Sequence, residues 1–153
     1  YQMSNQEAFD NLDRMVRVTH DWINDLDRAL RWNDRARSFR LLLAVLHTLR
    51  DTLDVREVAD LAAHMPSLLR GIYYERWNPA QQPAKDLSIE GMLECVQTSF
   101  GKDLLDDPAR ATMTVLRLLA QKFAEGENVR DYLPANVRVF WPPSSGDSGS
   151  RPH

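Results

Sequence analysis

The chain has 153 residues, a formal net charge of -3, and 43% hydrophobic and 27% charged residues, the length and make-up of one globular domain with a buried core. That balance disfavours a basic nucleic-acid binder. The single cysteine, Cys95, excludes an intramolecular disulfide and a multi-cysteine zinc site, and no run approaches the ~18 apolar residues of a membrane span.

The opening is polar and acidic, unlike a signal peptide, so a reduced, cytoplasmic domain is expected. Tyr1 and Gln2 read as residues before a native start at Met3. Glycines and prolines are few, and long stretches follow a 3.6-residue period without strand alternation. The predicted class is therefore all-α, with seven or eight helices. Ser4-x-x-Glu7 is a capping box that opens the first helix. Phe9, Leu12, Val16, Ile23, Leu26 and Leu30 then recur at three- and four-residue steps, with Thr19 filling the gap and Trp22 on the flank. This predicts one buried stripe on a long helix. A second helix is expected from Asp34 to Leu53, burying Phe39, Leu42, Val45, Leu46, Leu49 and Leu53. Asp54-x-x-Glu57 opens a short third helix with Val58, Leu61 and Ala62 inward. Met65-Pro66 ends it and starts a fourth, with Pro66 in the first turn and Leu68, Leu69, Ile72 and Tyr73 on the inner side.

Residues 78–87 form a polar connector with two prolines. Ser88 caps a fifth helix that turns Met92, Leu93, Val96 and Phe100 inward. Asp107-Pro108 starts the sixth, with Thr112, Val115, Leu116, Leu119 and Phe123 on its face. A short helix around Glu127–Tyr132 and last turns from Leu133-Pro134 complete a domain of residues 4–142. Residues 143–153 lack apolar side chains other than proline and read as a flexible tail.

The two parts flanking the connector, 4–77 and 88–142, look alike. MPSLLRGIY (65–73) lies over LPANVRVFW (133–141), matching Pro66 with Pro134, Arg70 with Arg138 and Tyr73 with Trp141. Upstream, Val45, Leu46, Leu49 and Leu53 fall on Val115, Leu116, Leu119 and Phe123, and Leu26 and Leu30 on Val96 and Phe100. Two copies are too few for a solenoid, so two related halves packed about a pseudo-twofold axis are expected.

The residues that now stand out are Phe9-Asp10, Trp22, Trp32, LLAVLHTLRD (42–51), LAAHMPSLLRGIYYERW (61–77) and the closing LP-x3-R-x2-W (133–141). Together they resemble the bacterial domain-of-unknown-function family twenty-two sixty-seven, over about residues 8–142. The resemblance implies an all-helical protein with two related halves, and it implies no activity. The family pattern has glutamine where this chain has His64 and glycine where it has Arg76, which weakens any site built on His64.

Four residues have metal-ligand character. His47 and Asp51, and Asp60 and His64, are each four apart and share a helix face. The second half has Arg117, Gln121, Asn128 and Tyr132 at the matching positions, and no HExxH is present, so two helix-surface pairs are the simpler account. Cys95 lies beside inward Val96 with no neighbour in sequence that would lower its pKa. Phosphate-binding glycine loops and a G-x-S-x-G elbow are absent, and Asp106-Asp107 reads as capping before Pro108. No catalytic residue and no cofactor is expected.

Arg70, Tyr73, Tyr74 and Trp77 are the candidate binding residues, because arginine and aromatic side chains dominate interaction hot spots. Gly71 is unfavourable within a helix and would be kept where another backbone or a ligand approaches. The leading expectation is a non-catalytic protein-interaction or regulatory module, self-association included, with neither nucleic acid nor membrane as partner. The alternative is a small-ligand or anion binder, possibly an enzyme, using a cleft between the halves with Arg70 and Arg138 as anchors.

Overall fold

The computed structural model describes residues 2–81, 88–123, 130, 138, 139, 141 and 142. Among these the regular structure is all helical: α1 (Asn5–Leu30), α2 (Arg35–Thr52), α3 (Val55–Ala62), α4 (Ser67–Tyr74), α5 (Ile89–Phe100) and α6 (Pro108–Lys122), with one 3-10 turn at Pro79–Gln81 and no strand. Most of the expected short helix at 127–132, of the turns from Leu133 and of the connector, and the tail, lie outside the described residues.

Helix starts follow local chemistry. Ser4 Oγ accepts from Glu7 N at 3.1 Å and Glu7 Oε2 accepts from Ser4 N at 3.4 Å. Asp54 and Glu57 make the same reciprocal pair. Asp34, Ser88 and Asp107 each accept a backbone N–H three residues on. Each such cap contributes about 1 kcal/mol. Pro66 departs from expectation by one position: it stands before α4, in extended backbone, and Ser67 begins the helix.

α2 is the centre of the fold, packed against α1, α4, α5 and α6. The single stripe expected for it is too narrow. Leu41, Leu42, Ala44, Val45, Leu46, Thr48, Leu49, Arg50 and Thr52 are all buried, well over half of the circumference, whereas Phe39 is only half-buried. A helix packed against four others keeps only a narrow outer strip, here exposed Arg40 with half-buried Leu43, His47 and Asp51. The expected face of α6 is buried as predicted, with Ala111 and Leu118 added. Beyond α6, Phe123 gathers an aromatic group. Trp22 is tilted against it at 5.9 Å and Trp141 stacks on it at 6.3 Å. In α4, Leu69 and Tyr73 are buried, but Leu68 is exposed and Ile72 half-buried, because this two-turn helix touches the core along one narrow edge.

α1 differs most from expectation. Its periodic stripe runs the full helix, yet Phe9, Leu12 and Val16 are 65%, 54% and 42% exposed. Burial starts at Thr19 and continues through Trp22, Ile23 and Leu26. At ~1.5 Å per residue, α1 is about 39 Å long, whereas α2 and α6 are about 27 and 22 Å. The helix outruns the elements that could cover it, and its first four turns project from the body.

A polar clasp joins the start of α2 to the α5–α6 loop. Arg37 Nε and Nη2 donate to the two oxygens of Asp103 at 2.7 and 3.2 Å, and Arg40 Nη2 donates to Asp103 at 3.0 Å. These hydrogen bonds, led by that of Arg37, hold the Asp103 carboxyl below its ordinary pKa. The Arg37 guanidinium lies 4.0 Å from the Trp32 ring centre, and that of Arg40 4.7 Å from the Phe100 ring centre.

Candidate functional site

α4 and its exit carry four of the sequence-nominated residues. Arg70 turns back on its own chain, donating from Nε to the Ala62 carbonyl at 3.0 Å and from Nη2 to the Met65 carbonyl at 2.9 Å. It thereby caps the end of α3. Tyr73 is fully buried, and its hydroxyl donates to the Val58 carbonyl at 3.0 Å. Burial pushes the phenol pKa well above its ordinary value. Tyr74 is half-buried, edge-on to Tyr73 and tilted against Trp77, both at 5.3 Å. Arg70, Tyr73, Tyr74 and Trp77 are therefore neighbours, but most of their contact area is spent within the fold. A Cβ at Gly71 would meet nothing within 4 Å, so no close approach of backbone explains that glycine.

The end of α4 is held by Arg50, which sequence reasoning missed, and by His47, which the sequence marks only as a candidate metal ligand. Arg50, 5% exposed, donates from Nη1 to the carbonyls of Tyr73 and Glu75, both at 2.8 Å. His47 Nε2 donates to the Ile72 carbonyl at 2.9 Å. One face of α2 thus supplies two donors to the negative end of a short helix. Of the metal-ligand pairs, His47 and Asp51 are engaged by hydrogen bonds. His47 is bonded to Ile72, Asp51 accepts from Arg50 Nε at 2.9 Å, and His64 lies 5.6 Å from the Phe123 ring. Asp60 is half-buried on α3. Among the described residues no group of three His, Cys, Asp or Glu is placed to hold a metal ion. Arg138 is exposed, and its carbonyl accepts from Trp141 N at 3.3 Å. Cys95 is half-buried in α5.

Two clefts of about 390 and 440 Å³ run along the α1–α6 seam and share Ala29, Arg110 and Thr114. Arg28, Arg31, Arg110 and Arg117 line them together with Asp25, Asp106 and Asp107. Asp25 accepts from Lys122 at 2.7 Å and from Arg28 at 3.3 Å, which lowers its pKa, the Lys122 bond contributing most.

The remaining feature is the projecting half of α1, a contiguous apolar strip of Phe9, Leu12 and Val16. Around it charges follow an order: Glu7, Asp10 and Asp13, then Arg14 and Arg17. Asp10 accepts from Gln6 at 2.9 Å and Arg14 donates to Asn11 at 3.2 Å, both neighbouring amides. Solvent-facing apolar residues in a row, flanked by exposed charge, form a surface suited to another protein chain. No helix is long and apolar enough to cross a membrane among the described residues.

Among the curated proteins no relative matches the chain. Residues 19–140 match the family described as "Uncharacterized conserved protein (DUF2267)". The match starts at Thr19, the residue at which α1 enters the body, so Phe9 and Asp10 lie outside it. The helical body built around α2 is that of the uncharacterized conserved family DUF2267, to which this chain belongs.

Proposed function

We propose that the chain is a non-catalytic protein-interaction module that works in the cytoplasm through the projecting half of α1. The observation that carries this reading is the exposed strip Phe9–Leu12–Val16 on four helical turns that the body does not use. An apolar row of this kind costs free energy in water, and a partner that covers it recovers about 1–2 kcal/mol per side chain. Tyr74 and Trp77, with buried Tyr73 against Tyr74 and exposed Arg70 one turn earlier, are a secondary contact region. The body of residues 4–142 consists of two related halves. In support, Val45, Leu46, Leu49 and Leu53 and their counterparts Val115, Leu116, Leu119 and Phe123 are all buried, as are Tyr73 and Trp141. A photoreactive phenylalanine analogue in place of Leu12, illuminated in the living cell, tests the reading. A discrete protein adduct is expected from position 12 and none from exposed Thr98 on α5. No adduct from position 12, or equal yield from both, refutes it.

A second reading, binding of a small anion between the halves, is favoured by the arginine-lined seam of α1 and α6 rather than by Arg70 and Arg138. Arg31, Arg110 and Arg117 have no ion-pair partner among the described residues. Millimolar phosphate or citrate is expected to raise the melting temperature of the parent chain and not that of Arg110→Ala/Arg117→Ala. An equal response of the two chains refutes this reading.

A further inference from the structure

We propose that the occupant of the projecting half of α1 is a second copy of the same chain, paired antiparallel about a twofold axis near residues 13 and 14; this rests on the interaction reading above. Three observations lead there. First, Phe9, Leu12, Val16, Thr19, Ile23, Leu26 and Leu30 keep a strict alternation of three- and four-residue steps, the pattern of a helix that pairs with a helix along its length. From Thr19 onward the body satisfies it, and before Thr19 nothing does.

Second, the body sets the direction. Each copy carries its body at the C-terminal end of the projection. A parallel pair would place two bodies side by side and require a second matched surface between them. An antiparallel pair sets the bodies at opposite ends of a shared bridge of about 20 Å, the length of residues 5–18 at ~1.5 Å each. Such a contact is isologous and closes on two copies.

Third, the charges match in that direction. Asp10 and Arg17 are seven residues, two helical turns, apart and so lie on one flank of the strip. Neither has an ion-pair partner among the described residues. Along this flank the order Asp10, Asp13, Arg17 runs from acidic to basic. Reversed on the second copy, it sets Asp10 opposite Arg17 twice, once on each side of the axis; Asp13 meets its own counterpart at the axis, one like-charge meeting against two opposite-charge pairs. The same register places Leu12 against Val16 of the second copy and Phe9 against the turn at Thr19 where the other body begins. In a parallel pair the flank carrying Asp10 and Arg17 faces the opposite flank of the other helix, which holds Ala8, Asn11 and Met15, and the two charges have no counterpart.

The contact is small beside the ~1,600 Å² of a tight complex, so pairing depends on concentration. Light scattering on the purified full chain, from micromolar to millimolar, is expected to show a mass rising from 17.6 kDa toward twice that value. Asp10→Arg and Arg17→Asp each set like charges face to face on both sides of the axis. Each is expected to weaken pairing by about tenfold or more. An equimolar mixture of the two variants recovers it, because every facing pair is again Asp with Arg. Leu12→Asp abolishes pairing without lowering the melting temperature. A parent chain that stays at 17.6 kDa at millimolar concentration overturns self-pairing, even where the position-12 crosslink captures another protein. Variants that pair as well as the parent, or a mixture that fails to recover, overturn the antiparallel arrangement.

Discussion

Replacing Arg50 by methionine tests whether the end of α4 is a built part of the fold. Methionine keeps the length of the buried stem and removes the guanidinium. Lost are two charge-assisted hydrogen bonds to the Tyr73 and Glu75 carbonyls, both at 2.8 Å, and the 2.9 Å bond to Asp51. Bonds of this kind contribute about 1.5–3 kcal/mol each when buried. Glu75 is exposed, so water replaces the donor at its carbonyl, whereas Tyr73 is fully buried and its carbonyl is left unpaired. Removing a buried cation also returns part of its desolvation cost. The net loss expected for Arg50→Met is ~2–4 kcal/mol, a large share of the ~5–15 kcal/mol that holds a domain of this size. Urea unfolding followed by tryptophan fluorescence reads it as a midpoint lowered by ~1–2 M for a slope of ~2 kcal/mol per M. Arg50→Lys keeps the charge but not the fork, so it should reach one carbonyl and lose about half as much. A loss below ~0.5 kcal/mol for the methionine variant, or none for lysine, would show that the α4 end is not held from α2 and refute the reasoning.

Three further outcomes are expected. Gly71→Ala should stabilise the chain by ~0.5–1 kcal/mol, since the site is helical and open; an unchanged or lower melting temperature contradicts the open geometry. Thr112→Val should raise the melting temperature by about 2–4 °C, because Thr112 Oγ1 is buried without a hydrogen-bond partner among the described residues and valine has nearly the same shape; a fall would reveal a bond to that hydroxyl. Asp103→Asn should lower the urea midpoint at neutral pH and leave it unchanged in strong acid. The folded carboxyl titrates below its unfolded value, so its stabilisation is present above about pH 4 and disappears as pH falls through the folded pKa. An effect independent of pH would mean that the charge of Asp103 does not act through Arg37 and Arg40.

Helix starts were the most legible part of the chain, because Ser4, Asp34, Asp54, Ser88 and Asp107 act on amides three residues away. Their information is local. Periodicity was equally reliable about which residues share a face. It is silent about whether a neighbour reaches that face, which is why Phe9, Leu12 and Val16 read as core and lie in water. In α2 the predicted face is buried at Leu42, Val45, Leu46, Leu49 and Leu53, but the prediction stops short. In sequence His47 reads as part of a helix-surface pair and Arg50 is not singled out, yet both meet carbonyls of residues 72–75, a pairing that only the tertiary fold creates. The residues nominated for binding have a second role that sequence alone does not reveal. Arginine beside tyrosine and tryptophan marks a binding surface, and it equally marks a helix end wrapped by its own chain, as Arg70 and Tyr73 are here. The arginines of the α1–α6 seam carry no local signature at all, because Arg28 and Arg110 lie far apart in the chain.

The central place of α2 also bears on how the chain could be divided. Its most extensive packing is with α5, across the connector at 78–87, and α1 likewise packs on α6. Neither side of the connector therefore owns a complete core: a fragment ending near residue 81 would leave α2 without α5 and α6 and α1 without α6. Cut there, the chain is expected to become two pieces that fold together on meeting. The domain is in that sense a ready-made split protein, whose reassembly from fragments could report the proximity of whatever two molecules carry them.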